Sequence, residues 1–459
     1  MTSTHKSLSL FGLLLLVAGQ LLPQIDFSIV NVALDVLGKS LKTNETGLVL
    51  IVAVYALCFA TLIASGARLG DRYGRKKLFL IGVFGFGVAS ALCGMSQSIY
   101  VMLVGRFLQG LCAALLMPQI LSTIHATLDG ERHSRAVSIY TSVAGLSVAL
   151  GQILGGWLVS ANLFDLGWRV AFYINIPICI LILIIGYFII PETQAEKKPK
   201  MDVQGILLFA SLMLCLLIPV AMGEHWPQLF WLLFGVIPLA VLLIKVETKK
   251  ELEGNNPLIP PAVFNTSTAK AGLFAEIGVT STYAGYLFVT ALTLQQAAHF
   301  TPFQSGNTFM GLGLMFFVGS LVSKSTSQRI GDYLTFTLGS ALTIVGFLIT
   351  LGLLWAFRDK VQVWQLLFAT GFVGAGNSFM LSSAFRITLS NVEKQHASEA
   401  SSALITVQQG FFALGTALTG SIYSVISPHG FLPAITTALV TISCIVFLVS
   451  IGTFLKRPK

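Results

Sequence analysis

The stretch GLVLIVAVYALCFATLIASGARLGDRYGRKK, residues 47–77, decides the fold. Its first two-thirds, up to Ala67, carries no charge, and its remainder holds Arg68, Asp71, Arg72, Arg75, Lys76 and Lys77. About twenty apolar residues at a rise of about 1.5 Å each cross a hydrocarbon core about 30 Å thick. A second apolar block follows the charged turn at once, up to residue 95. Outward from here the same block length recurs along the whole chain, near 9–34, 98–120, 134–160, 169–190, 203–222 and 228–246, then near 271–297, 307–324, 332–355, 363–386, 400–425 and 431–454. With 47–67 and 77–95 these make fourteen predicted spans. Only 10% of the 459 residues are charged and 55% are hydrophobic, against roughly 25% charged in a soluble domain. In lipid each block must satisfy its own backbone hydrogen bonds, which selects helices. The chain reads as an all-α membrane protein.

The first block, Leu8–Leu22, has signal-peptide length but no small-residue cleavage site, and it runs on through Pro23, Gln24 and Asp26 into more apolar chain, so it reads as a retained span. Most of the 28 lysines and arginines fall on one side when both termini are placed in the cytoplasm, as the positive-inside rule requires. That predicts a multi-pass protein of the inner or plasma membrane. The six tryptophans, at 157, 168, 226, 231, 355 and 364, fall at predicted outer ends, the pattern of an interfacial belt. The net charge of +9 is therefore a topology signal, and no soluble basic domain exists to bind nucleic acid. The six cysteines stand singly in apolar segments without metal-ligand spacing.

Internal similarity sets the architecture. Arg68-Leu69-Gly70-Asp71-Arg72-Tyr73 follows the second span, and Arg329-Ile330-Gly331-Asp332-Tyr333 follows the tenth, with Asp332 lying 261 residues after Asp71. Ala149–Leu154 in span five parallels Ala413–Leu418 in span thirteen, with Gly415 lying 264 residues after Gly151. Both pair span n with span n+8. This predicts a six-helix half over 1–190, a two-helix insert with charged linkers over 191–270, and a second six-helix half over 271–459. Parallel repeats of this kind suit rocking about a mid-depth site between the halves.

Four patterns now carry a resemblance. Asp26-Phe27-Ser28-Ile29-Val30-Asn31-Val32-Ala33-Leu34 resembles the first-span signature of the fourteen-span drug:proton antiporters of the major facilitator superfamily. Gly70-Asp71-Arg72-Tyr73-Gly74-Arg75-Lys76-Lys77 is similar to the superfamily's loop between spans two and three, although Ala67 stands at its usual leading glycine. Arg106-Phe107-Leu108-Gln109-Gly110 resembles the fourth-span motif. Gly151-Gln152-Ile153-Leu154-Gly155-Gly156, with Trp168-Arg169 and Phe172-Tyr173-Ile174-Asn175-Ile176-Pro177, completes the set, although Gln152 replaces the family's usual proline. The second half is similar mainly through Leu294-Gln295 and the segment Ser401–Gly415. The resemblance implies a major facilitator fold and proton-coupled export of small amphipathic compounds.

The residues allow independent expectations. An acid inside a span is costly unless it faces a cavity or a partner, so Asp26 is the first candidate proton site. The bland alternative is a hydrated carboxylate near the outer boundary, with Asp26 about two turns from the span's end. Arg106 is the one basic residue deep in a span, and cost turns it toward the interior; the resemblance implies proton coupling there, with Asp26 as its partner. Gly70, Asp71, Arg72, Gly74 and Arg75 suit a cytoplasmic gate, the carboxylate latching helix ends through dipoles and charge-assisted bonds. Gly151, Gly155 and Gly156 let span five approach a neighbour, either as plain packing or in the antiport role the resemblance implies. Glu276, about one turn into span nine, is expected to snorkel to the inner surface or to meet substrate. Asn31, Tyr55, Gln109 and Gln295 are further candidates for a substrate cavity, with Phe27, Phe288 and Phe379 as apolar contacts.

No nucleophile with a base, no zinc-spaced histidine pair and no phosphate-binding loop is present, so neither an enzyme nor a metal or organic cofactor is expected. The expected partners are a small-molecule substrate, protons and the bilayer, and the expected state is a monomer. A carrier of one metabolite or lipid is the alternative within the fold. A non-transporting receptor or scaffold is the alternative outside it.

Overall fold

The computed structural model describes residues 8–194, 202–223, 226–255, 257–258, 261, 266–390, 392 and 397–457, without the side chains of 134, 138, 141–142, 144–146, 148–149 and 397–403. Lys197, Lys198, Lys200 and Lys394, part of the expected charge bias, lie outside the described residues, as does the side chain of Ser401. Fourteen helices account for the spans of the described chain: thirteen are long and apolar enough to cross a membrane, and Gly130–Ala161 carries a shorter apolar stretch, Leu150–Ala161. The first six are α1 Leu10–Leu41, α2 Glu45–Tyr73, α3 Arg75–Met95, α4 Ile99–Thr127, α5 Gly130–Ala161 and α6 Gly167–Ile189. Next come α7 Val203–Met222 and α8 Pro227–Leu252. The last six are α9 Ser267–Gln296, α10 Pro302–Ile330, α11 Asp332–Phe357, α12 Val363–Leu389, α13 Ala397–Ile426 and α14 Phe431–Leu455. Every predicted span lies in one helix, and the even number puts both described ends of the chain at one end of the bundle, here called the terminal end.

Local chemistry sets the helix starts. Ser9, Asn44, Ser98 and Thr266 accept the first-turn amides of α1, α2, α4 and α9 through their side chains, which relieves donors no helix can pair internally. Gly74 (φ 111°) and Gly331 (φ 84°) turn α2 into α3 and α10 into α11 without a loop, a backbone that glycine adopts without strain. These breaks correct the expected register of the repeat. Gly331 lies 257 residues after Gly74; Asp71 ends up in the last turn of α2, whereas Asp332 opens α11. Gly151 and Gly415 are both points of close helix approach. A Cβ at Gly151 would lie 2.5 Å from Ser28 Cβ of α1, and one at Gly415 would lie 2.1 Å from the Ser281 carbonyl of α9.

The largest buried apolar cluster draws on α1, α2, α9, α13 and α14 together, including Ile29, Leu34, Val49, Phe288 and Ala417. A second cluster lies almost wholly within the first six helices, around Phe79, Phe86 and Leu116. The inserted α7 packs against α2 and α13. Met213 meets Gly410, and Ser421 donates to the Val220 carbonyl. Trp168 departs from the expected belt: it is 2% exposed, edge-on to Phe172, with the Arg169 guanidinium 4.5 Å above its ring. The other five tryptophans are exposed.

Candidate functional site

Asp26 sits near the middle of α1, because the helix runs on to Leu41, and it is fully buried. The hydrated-boundary reading is thereby overturned. Arg106 of α4, equally buried, donates through Nη1 to Asp26 Oδ2 at 2.5 Å and to Gln109 Oε1 at 2.8 Å, and through Nε to the Ile51 carbonyl at 3.0 Å. Gln109 Nε2 donates to Asp26 Oδ1 at 2.9 Å, and Asn175 Nδ2 of α6 reaches the same oxygen at 3.0 Å. Both amides also donate to Ser90 Oγ of α3, at 2.9 and 3.2 Å. The Arg106 guanidinium lies 4.3 Å from the ring centre of Tyr55, whose hydroxyl donates to the Pro23 carbonyl at 3.1 Å. Five helices thus converge on one carboxylate. Desolvating two charges costs several kcal/mol each and is offset only where geometry and extra hydrogen bonds are good; here both carboxylate oxygens accept hydrogen bonds, which meets that condition.

Sequence reasoning brought Asp26, Arg106, Gln109 and Tyr55 forward, and the fold brings these four together. It did not single out Asn175 or Ser90. The available signals were that Asn175 falls within the Phe172–Pro177 motif and stands as an isolated amide among apolar residues of its span.

Glu276 lies elsewhere. Because α9 starts at Ser267, this residue is about 13 Å into the helix, not one turn. It is fully buried, so the snorkelling reading fails, and neither carboxylate oxygen has a hydrogen-bond partner among the described residues. Two turns on, Tyr283 also has an unpartnered hydroxyl. Tyr283 belongs to a chain of five rings that crosses the bundle at mid-depth. Tyr55 lies 6.4 Å from Phe27, Phe27 5.6 Å from Phe412, Phe412 6.0 Å from Tyr283, and Tyr283 6.5 Å from Phe316. Phe27 and Tyr55 of the expected contacts join it; Phe288 packs against Gly420 and Phe379 against Gly339 instead.

The remaining candidates are local. Asn31 and Gln295 donate to carbonyls of their own helices, those of Phe27 and Ala291, and Gln295 also lies 3.4 Å from Ser305 Oγ. At the terminal end Asp71 takes two bonds from Arg75 across the Gly74 break, at 2.7 and 2.9 Å, while Glu192 and Thr193 after α6 accept the Lys76 and Arg75 amides. Gly70 faces Gln119 of α4, and Arg72 lies over the Tyr73 ring. In the second half Asp332 is held by Arg386 of α12 at 2.5 Å and by Ser327. The small residues of α5 divide between two partners. Gly151 and Gly155 face α1, whereas Gly156 and the Gln152 carbonyl face the start of α10 at Pro302, Phe303 and Gly306. The Gln152 amide is buried without a partner among the described residues.

Fourteen spans, a buried ion pair at mid-depth and an aromatic seam define a polytopic membrane carrier. Residues 16–246 match the sequence profile of the Major Facilitator Superfamily. The chain belongs to that superfamily of membrane transporters. It is 30% identical over 411 residues to the "Probable actinorhodin transporter" of Streptomyces coelicolor, covering 89% of this chain and 71% of that one. It is also 30% identical to the "Puromycin resistance protein pur8" of Streptomyces alboniger, covering 93% and 85%. Its fold matches a POT family transporter crystallised with 5-aminolevulinic acid, with a TM-score of 0.70 at 13% identity over 98% of each chain.

Proposed function

We propose that the protein is a proton-coupled antiporter that exports small amphipathic compounds by alternating access. The single observation that carries this is the Asp26–Arg106 pair, a fully desolvated charge pair at the centre of a span, kept where a passive scaffold has no need of it. A proton on Asp26 would release Arg106 and slacken the joint between α1, α4 and α6. The names of the relatives, a transporter and a resistance protein for different small molecules, support export as the direction. Residues 1–190 and 271–459 are the halves that move, 191–270 is the insert, and Asp71 with Gly70, Arg72, Gly74 and Arg75 forms the gate at the terminal end. Both termini face the cytoplasm, and the working unit is a monomer.

The test uses everted membrane vesicles with an inside-acid gradient read by a fluorescent dye. Adding lipophilic cations and neutral drugs to wild type should trigger proton release, and Asp26→Asn should abolish it. A wild type that releases no protons for any compound, while the vesicles hold their gradient, would sink the reading.

A further inference from the structure

The insert is tied to both halves, at opposite ends. At the terminal end its tie is to the first half. Arg68 Nη2 of α2 donates at 2.6 Å to the carbonyl of Pro257, in the linker that follows α8. Asp202, at the start of α7, accepts the Leu258 amide at 2.9 Å and pairs with Lys250 of α8, which laces the linker, α7 and α8 into one unit. Leu258 is buried in a cluster with Ala60 and Ala64 of α2 and Phe209 and Met213 of α7, to which no described residue of α13 belongs. Halfway along α7, Met213 and Phe209 converge on Gly410 of α13, 3.1 and 3.6 Å from where a Cβ would stand. At the outer end the polar tie is to the second half. Ser421 Oγ of α13 donates to the carbonyl of Val220, in the last turn of α7, where carbonyls have no partner within the helix.

The halves themselves are joined at the outer end in this structure. Ser427 donates to Glu45 at 3.2 Å, and the Phe303 amide donates to Ser160 at 2.9 Å. Rocking that opens this end widens the α2–α13 seam there, and a helix bonded to α2 at one end and to α13 at the other cannot keep both ties. The terminal tie combines a guanidinium bond with a packed apolar cluster. The outer tie is a neutral hydroxyl bonded to a carbonyl, and a hydrogen bond with an ionised donor is roughly twice as strong as a neutral one. Leu217 and Ala221, near the outer end of α7, lie in the main cluster that both halves share, so they do not favour either partner. The outer tie yields first.

We propose that α7 is a strap that moves with the first half and latches the outer end of the α2–α13 seam, with Ser421 as the latch. While the outer end is closed, the Ser421–Val220 bond holds the strap against α13. Opening breaks that bond, and the strap leaves with α2. The insert thereby sets how readily the outer end opens, without touching the Asp26–Arg106 joint. This rests on the alternating access in the reading above and not on its proton coupling.

The experiment measures distances between pairs of spin labels by pulsed electron resonance, in the purified full chain in lipid nanodiscs. No gradient and no substrate are involved, so its outcome is separate from that of the vesicle assay. Cys215→Ser and Cys444→Ser leave only the four buried native thiols. Labels at Phe164→Cys and Lys360→Cys, exposed at the outer ends of the first and second halves, report the opening. Ser421→Ala should raise the longer-distance population about fivefold, the weight of one neutral hydrogen bond. Ser421→Thr keeps the hydroxyl and should match wild type. A label at Trp226→Cys, exposed just past the outer end of α7, follows the strap when paired with either of the others. In the longer-distance population its separation from position 164 should be unchanged and its separation from position 360 should lengthen. Wild-type distances in Ser421→Ala, an equal change in Ser421→Thr, or a strap label that keeps its distance to position 360 would each overturn the assignment.

Discussion

Helices α1 and α9 each bury an acid well inside the helix, Asp26 and Glu276, and they treat it in opposite ways. Around Asp26 the first half assembles Arg106, Gln109, Asn175 and Ser90 from three helices. In the second half Asn377 turns back to the Val373 carbonyl of its own helix, Thr343 faces Met380, and Glu276 is left bare. A charge that is fully paired becomes part of the architecture. A carboxyl that is left unpaired keeps its chemistry available.

The contrast is broken most severely at Arg106. Arg106→Ala should destabilise the folded chain by about 3–5 kcal/mol, because Asp26 is then a buried charge without its partner; thermal unfolding in detergent measures this. Glu276→Leu should do the reverse, raising stability by about 1 kcal/mol, since it replaces an unsatisfied polar group by an apolar one of similar size. A loss of stability there on the scale of Arg106→Ala would mean that Glu276 is paired after all.

The smallest effect concerns a third acid, outside the membrane. Asp202 caps α7 through the Gly205 amide, accepts the Leu258 amide and pairs with Lys250. Burial alone would push its carboxyl up, and the Lys250 ammonium with these amides overrides that, holding it below the usual carboxylate range. A carboxyl depressed in the folded state contributes stability above its unfolded value, about 3.9, and loses it as pH falls through the folded value. Wild type should therefore show a small loss of thermal stability on acidification below about pH 4. In Asp202→Asn this acid limb should flatten, with a lower starting stability at neutral pH.

The fold was legible because the bilayer imposes one length on every span, so that counting apolar blocks finds all fourteen helices. The Asp26–Arg106 pair was legible for the same reason: charge is so costly inside a span that each instance demands a partner. Asn175 and Ser90 were not, because neutral polar residues are cheap in a helical bundle and do not stand out among the many threonines and serines. Depth was misjudged where helices outrun their apolar blocks. Lys39 and Lys42 conceal the extension of α1 to Leu41, and Lys270 conceals the start of α9 at Ser267, which moved Asp26 to the centre and Glu276 off the surface. The Gly-Asp match between the halves misled by four residues, because the helix-breaking glycine, and not the acid, is the conserved geometry of that turn.

The placement of α7 gives the bundle a sidedness within the plane of the membrane. One lateral seam between the halves, along α2 and α13, is roofed by Phe209, Met213 and the Ser421–Val220 bond. The other seam is the contact between α5 and α10, where Gly156 meets Pro302 and the Phe303 amide reaches Ser160. A hydrophobic compound dissolved in the leaflet therefore meets a seam covered by a third helix from one direction and a bare, close two-helix contact from the other. Lipid on the two flanks of this protein is therefore not equivalent.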